Sequence, residues 1–253
     1  MTARVDVWFA PLDASPTLLE SLRGHLSRDE LARAGRFHFA RDRDRYVAGR
    51  GLLRALLGER IGAQPRDVRF EYSAYGKPRL VGDHAVSFNV SHSANRAVFA
   101  FGSGEPIGVD VEVFDSKPSD ELVARQFFSA TEVADFLSLP TAVRPRAFLT
   151  CWTRKEAYIK ARGEGLSLPL QDFDVTLLPG IEPELLRTAW SSTEPAEWRL
   201  YDISAACPGC IAALAVQTDA ADVSLGELLL GAAGFERRAT AGSAPVAQIA
   251  PQA

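Results

Sequence analysis

Apolar residues fall along this chain with two different spacings, and the changeovers between them outline its elements. VDVWFA (5–10) is predicted as a first strand. From about 16 to 36, and again from about 40 to 60, apolar positions recur at helical spacing, the second run ending near Gly62. DVRFEYS (67–73) is strand-like, AVSFNVSHSANRAVFAFG (85–102) is strand, polar turn and strand, and EPIGVDVEVF (105–114) is a further strong strand. Helices are predicted at about 119–126, 129–138 and 143–162, and strands return at 173–178, 197–204 and 211–218. Each half runs strand, helices, strands, which points to an α+β fold rather than a doubly wound parallel sheet. No residue-level repeat accompanies this duplicated architecture. The tail ERRATAGSAPVAQIAPQA (236–253) is rich in Ala and Pro, has no period, and is expected to be disordered.

Two places break the hydrophobic pattern. In IGVDVEV (107–113) side chains alternate between faces, so Ile107, Val109, Val111 and Val113 share one face and Gly108, Asp110 and Glu112 the other. Two carboxylates on one strand face repel, and a cation relieves the repulsion. Oxygen ligands with room for water and phosphate suit Mg²⁺. The alternative is an ordinary sheet with one wet face. In FLTCWTRKEAYIKARGEG (148–165), Phe148, Trp152 and Ile159 form an apolar stripe flanked by Cys151 and Tyr158, and Lys155 falls in its middle. An unpaired buried ammonium is costly, so an anion should meet Lys155 unless the side chain snorkels to the surface. Glu156 lies at the stripe's edge with Lys160 one turn beyond, either as a surface pair or as part of a site. Gly163 is placed to cap the helix.

A third cluster is the predicted turn NVSHSANR (89–96), preceded by YGKPR (75–79). Ser91, His92 and Ser93 offer hydroxyls, an imidazole and backbone N–H groups that can cradle phosphate, and Lys77 adds charge. RFHFARDRDRYVAGRGLLR (36–54) contributes Arg41, Arg43, Arg45, Arg50 and Arg54, offset by Asp42 and Asp44. That pattern suits a solvated helix face or a basic surround for a ligand. Together the clusters describe a metal, phosphates and a neighbouring carboxylate, the parts of a phosphoryl-type transfer site.

Composition narrows the classes. The chain has 253 residues, 47 % of them hydrophobic, enough for one large core or two small ones. A net charge of −4 gives no general attraction to nucleic acid or anionic membrane. No apolar run reaches the roughly 18–20 residues of a membrane span, and the first residues lack a signal peptide's apolar stretch, so a cytoplasmic protein is expected. Cys151, Cys207 and Cys210 do not make a disulfide framework. CPGC (207–210) reads first as a hairpin turn, with a redox pair as the lesser alternative and no further ligands for zinc. Of 28 basic residues only four are Lys, at 77, 117, 155 and 160, and three of these fall in the segments just described.

In this order, the motifs resemble the 4′-phosphopantetheinyl transferase superfamily. GVDVE (108–112) matches its G-x-D-x-E pattern and WTRKEAYIKARGEGLSLPL (152–170) its W-x-x-K-E-x-x-x-K pattern. YGKP (75–78), FNVSHS (88–93) and QFFSATE (126–132) match further positions. The resemblance covers about residues 5–218 and is to the larger surfactin-synthetase-activator (Sfp) type. It implies an α+β, single-chain pseudo-dimer of two similar lobes, each a small, mostly antiparallel sheet packed with helices. Residues 1–104 would form the lobe on the coenzyme A nucleotide side, and 105–235 the lobe with the metal and the catalytic helix.

The implied reaction moves the 4′-phosphopantetheine arm of coenzyme A to a serine of an apo acyl, aryl or peptidyl carrier protein. It depends on Mg²⁺, or Mn²⁺ with the same ligands, and releases 3′,5′-ADP. By the same resemblance Asp110 and Glu112 hold the metal, and Glu156 is a third ligand, the general base, or both. Lys155 would bind the pyrophosphate and act catalytically with Glu156, while Lys160, Ser91 and His92 contact coenzyme A phosphates. Lys77, Pro78 and Arg79 would border the adenosine, and Arg45 and Arg50 add basic contacts. Glu132 is either a further metal ligand or the last member of a capping box that starts at Ser129. Glu30 stands near a position where the family often has Lys. Carrier docking is expected near 118–139. A metal-dependent nucleotide phosphohydrolase and a non-catalytic coenzyme A-binding module are the alternatives, and the joint presence of Asp110, Glu112, Lys155, Glu156 and Lys160 argues against the second.

Overall fold

Most changeovers read from the sequence become elements near their expected places in the computed structural model, which describes residues 2–114 and 121–240. The first half contains β1 (Ala3–Pro11), α1 (Pro16–Arg23), α2 (Arg28–Ala34), α3 (Ala40–Ile61), β2 (Phe70–Tyr72), β3 (Pro78–Leu80), β4 (Ser87–Ser93) and β5 (Arg96–Gly102). The second contains β6 (Ile107–Val113), α4 (Glu121–Phe127), α5 (Ala130–Ser138), α6 (Arg144–Arg162), β7 (Phe173–Val175), β8 (Leu185–Thr188), α7 (Glu194–Glu197), β9 (Trp198–Asp202) and β10 (Cys210–Gln217). Then come β11 (Ala221–Leu230) and β12 (Phe235–Ala239). The helical run expected over 16–36 is two helices, because Ser27 and Glu30 start α2 afresh with a capping box. Gly62 and Gly163 end α3 and α6 in the left-handed conformation, at φ 68° and 82°.

Two sheets stack between two groups of helices. The larger has the order β12–β11–β1–β5–β4 and the smaller β6–β10–β9. Period-two alternation sorts their side chains into layers. Val5, Val7 and Phe9 of β1 meet Ile107, Val109 and Val111 of β6 between the sheets. On β5, Val98 and Ala100 join that layer, while Ala97, Phe99 and Phe101 face Leu52, Leu53, Leu56 and Leu57 of α3. Ala213 and Ala215 of β10 face the other way, onto Ala157, Tyr158 and Ala161 of α6. Small residues there let α6 lie close to the sheet. Among the described residues no helix is long and apolar enough to cross a membrane.

Two expectations are corrected by long-range pairing. Residues 236–239 of the segment expected to be disordered belong to β12 (Phe235–Ala239), antiparallel to β11. Arg237 there pairs with Glu59 of α3 and stands over the Trp8 ring. The rest of that segment, 241–253, lies outside the described residues. Strand β11, absent from the sequence reading, runs parallel to β1 and so completes the sheet of the first half. Gly226 permits this: a Cβ there would sit 2.3 Å from Trp8 Cζ3.

Candidate active site

Strands β4 and β6 form the seam between the two sheets, and side chains stitch it. Asn89, Ser91 and Ser93 share one face of β4. Val109 N donates to Asn89 Oδ1 (3.0 Å), Ser91 Oγ to Asp110 Oδ1 (2.7 Å) and Ser93 Oγ to Glu112 Oε2 (2.7 Å). Ser91 to Ser93 therefore lie on the strand, and only Ala94 and Asn95 make the turn, Ala94 in the left-handed region at φ 50°. His92 is exposed while its neighbour Ser91 is buried, so the two do not make the single phosphate cradle expected from the sequence.

Helix α6 closes the seam from the other side. It packs directly on β6 because residue 108 is glycine: a Cβ there would lie 2.1 Å from Ala157 O and 2.3 Å from Ala161 N. This contact brings Lys160 onto the strand, its Nζ 2.6 Å from Asp110 Oδ1 and 2.9 Å from Ser91 Oγ. Lys160 thus pairs with Asp110, where sequence spacing suggested Glu156. Lys77 braces the same junction, donating from Nζ to Ile107 O (3.1 Å) and Ala161 O (2.8 Å). Burial holds its ammonium at about 8, below the ordinary lysine range.

The carboxylates feel one another. Burial pushes the Glu156 carboxyl up; Lys160 opposes the shift, and Asp110 and Glu112 add to it. Glu112 is also pushed up, by burial and by Asp110, against the Ser93 hydrogen bond. Asp110 is 3 % exposed, and its Oδ2 is buried without a hydrogen-bond partner. Among the described residues no three His, Cys, Asp or Glu side chains are already gathered into a metal-holding set. Mg²⁺ needs no such set, since it is commonly held by one or two carboxylates together with phosphate and water. An orphaned oxygen on Asp110, beside Glu112 and within the field of Glu156, fits that donor pattern.

Lys155 is elsewhere. It is fully buried, with Nζ donating to Glu132 Oε2 (2.7 Å), Leu170 O (2.7 Å) and Phe173 O (2.6 Å). An ammonium has three N–H groups, so none remains for a phosphate, and the expected pyrophosphate contact is corrected. The anion demanded by its place on the apolar stripe comes from α5. Glu132 itself accepts from Ser129 N and Val175 N, each at 2.8 Å. Of its two readings the structure has the capping box, and the metal-ligand reading is set aside because both carboxylate oxygens are engaged. Trp152 stacks on Phe148 and meets Phe127 edge-on, anchoring the core side of α6.

The basic candidates are largely committed within the first half. Arg45 pairs with Asp13 at 2.7 Å. Glu30 is buried and accepts from Arg50 and, at 2.6 Å, from Arg54. Burial opposes its charge, but the two arginines outweigh that and hold its carboxyl below the usual range. Arg79 is exposed and pairs with Glu71, and Pro78 starts β3. Arg33, Arg36 and Phe37, not singled out in the sequence, line an open cleft of about 470 Å³. Also unanticipated were Ser93 as the partner of Glu112 and Gly108 as the contact that seats α6; the alternation of N-x-S-x-S against G-x-D-x-E is the signal that carries the first.

Compared with known proteins, residues 106–216 match the 4′-phosphopantetheinyl transferase superfamily and residues 13–103 the N-terminal family of 4′-phosphopantetheinyl transferases. The chain is 39 % identical over 220 residues to the 4′-phosphopantetheinyl transferase HetI of Nostoc sp., covering 85 % of this chain and 89 % of that protein. It is 35 % identical over 158 residues to the 4′-phosphopantetheinyl transferase Sfp of Bacillus subtilis, covering 62 % and 69 %.

Proposed function

The chain belongs to the 4′-phosphopantetheinyl transferase superfamily, and from that premise we propose that it moves the 4′-phosphopantetheine arm of coenzyme A to a serine of an apo carrier protein, with Mg²⁺ as cofactor and 3′,5′-ADP as co-product. The observation that most supports the reading is the buried, unpartnered Oδ2 of Asp110 where β4, β6 and α6 meet. Asp110, Glu112 and Glu156 are the residues that would hold the metal. When bound, Mg²⁺ supplies charge neutralisation at the pyrophosphate.

The remaining roles fall to this chain's side chains. Glu156, half-buried and raised in basicity, is the group to take the proton from the acceptor serine hydroxyl. Lys160, its side chain 28 % exposed, has one N–H left beyond those given to Asp110 and Ser91, and would offer it to a phosphate oxygen. Ser91 orients both Asp110 and Lys160 through its one hydroxyl. His92 is exposed on the next position of β4; it would contact the nucleotide phosphates, and Lys77 and Pro78 would border the adenosine. The carrier would dock beside α4 and α5, where Leu122 is 78 % exposed; residues 118–120 of the expected docking segment lie outside the described residues.

The test is to incubate the protein with Mg²⁺, coenzyme A and an apo carrier, then weigh the carrier. A gain of about 340 Da, the mass of the transferred arm, is expected. An unmodified carrier with coenzyme A cleaved to free phosphopantetheine would instead make the protein a hydrolase.

A further inference from the structure

Cys207 and Cys210 take no part in the site above, yet their reactive side chains are in contact with each other. The backbone brings them together. Cys210 N donates to Cys207 O at 2.9 Å, with Pro208 and Gly209 between them and Gly209 at φ 80°. Pro followed by a left-handed Gly is the composition of a type II turn, which holds its first and last Cα atoms within about 7 Å. That matches the span of a disulfide, whose Cα atoms are usually about 4.4–6.8 Å apart. The side chains point the same way, and the two sulfurs are in contact as free thiols. Pro208 and Gly209 are exposed at the tip, while the cysteines each keep 5 % of their surface.

The contact between the thiols, in which either sulfur can donate, favours a thiolate within the pair. The hydrogen bond from Cys207 favours the thiolate of Cys210, and Arg96 adds to this, so the Cys210 thiol is held below its ordinary range. The same bond pushes Cys207 up. Cys151, the third cysteine, is fully buried and its thiol is pushed up by burial, so it does not compete.

We propose that Cys207 and Cys210 form a modification site, a dithiol that closes reversibly to a disulfide with a small-molecule disulfide of the glutathione class as oxidant. Cys210 thiolate attacks one sulfur of the oxidant, breaking its S–S bond and releasing one thiolate. Cys207 then loses its proton and attacks Cys210 Sγ in the mixed disulfide, releasing the second thiolate. The protein dithiol loses two electrons, the oxidant gains them, and the two thiol protons pass to the released thiolates. The turn is not remote from the carboxylates: Phe114 N donates to Gly209 O at 2.8 Å, and Cys210 is paired with Val113, next to Glu112. The inference rests on the thiol geometry and is independent of the transferase reading.

The experiment uses the full chain, reduced and then equilibrated with excess oxidised glutathione under native conditions. It is acid-quenched, denatured, alkylated with N-ethylmaleimide and weighed. One alkylated cysteine is expected where the reduced chain has three, with a peptide map placing the link across Cys207 and Cys210 and dithiothreitol restoring all three. In Cys207→Ser a stable glutathione adduct should remain on Cys210, because no resolving thiol follows. Three alkylated cysteines after oxidation, a link or adduct at Cys151, or a persistent glutathione adduct on the unsubstituted chain would each overturn the proposal.

Discussion

Adjacent residues on α6 have opposite fates. Glu156 faces the carboxylates of β6, whereas Lys155 points into the core against Glu132. Substitutions should separate them. Glu156→Gln is expected to lower transfer by about 10²–10⁴, the scale of a lost general base, while circular dichroism and thermal midpoint stay close to the original; near-normal transfer would assign the proton to another acceptor. Lys155→Ala should instead cost about 3–5 kcal/mol of stability, because it strands a buried carboxylate, measured by urea unfolding. The folded fraction should still bind coenzyme A, which a phosphate-binding lysine would not allow. Lys77 predicts a pH effect. Its folded pKa of about 8 lies below the ordinary 10.5, so between these values the unfolded chain holds a proton that the folded chain has released. Its contribution to stability therefore rises with pH across that window and is lost as pH falls through 8. Urea midpoints should show that rise, and Lys77→Met should flatten it.

At the scale of elements, the site is a contact between one helix and two strand edges. Its parts were legible because alternation on β6 separates Asp110 and Glu112 from the valines, whatever the strand packs against. Which groups the carboxylates meet was not legible, since Ser91 and Ser93 come from a strand some twenty positions earlier, across the seam. Lys155 shows the same limit: spacing on a helix demanded an anion but had no means of choosing between phosphate and Glu132. The closeness of α6 to β6 rests on Gly108, and Gly108→Ala is expected to cost about 1–3 kcal/mol or more through overpacking against the helix backbone. Transfer should fall with it, because Lys160 is carried away from Asp110; unchanged urea stability with full transfer would contradict the close packing.

In the whole molecule, two sheets share an apolar layer and the chain's last strands return to the first sheet. Ending the chain after Thr218 should therefore destabilise the first half as well as the second, since β1 loses its parallel partner and the buried Val223 and Leu228 are removed. Calorimetry should show a lowered or missing cooperative transition, and retention of the original midpoint would mean that β11 is dispensable. Sequence alone determined the α+β class, most of the core helices and strands and the acidic strand face, because these follow from periodicity and are set by near neighbours. It also carried the family resemblance, through short motifs in order. Tertiary structure alone decided that β11 joins β1, that Glu132 rather than a ligand neutralises Lys155, and that Lys160 meets Asp110. Each of these joins residues distant along the chain, where only packing geometry and the cost of an unpaired buried charge select the partner.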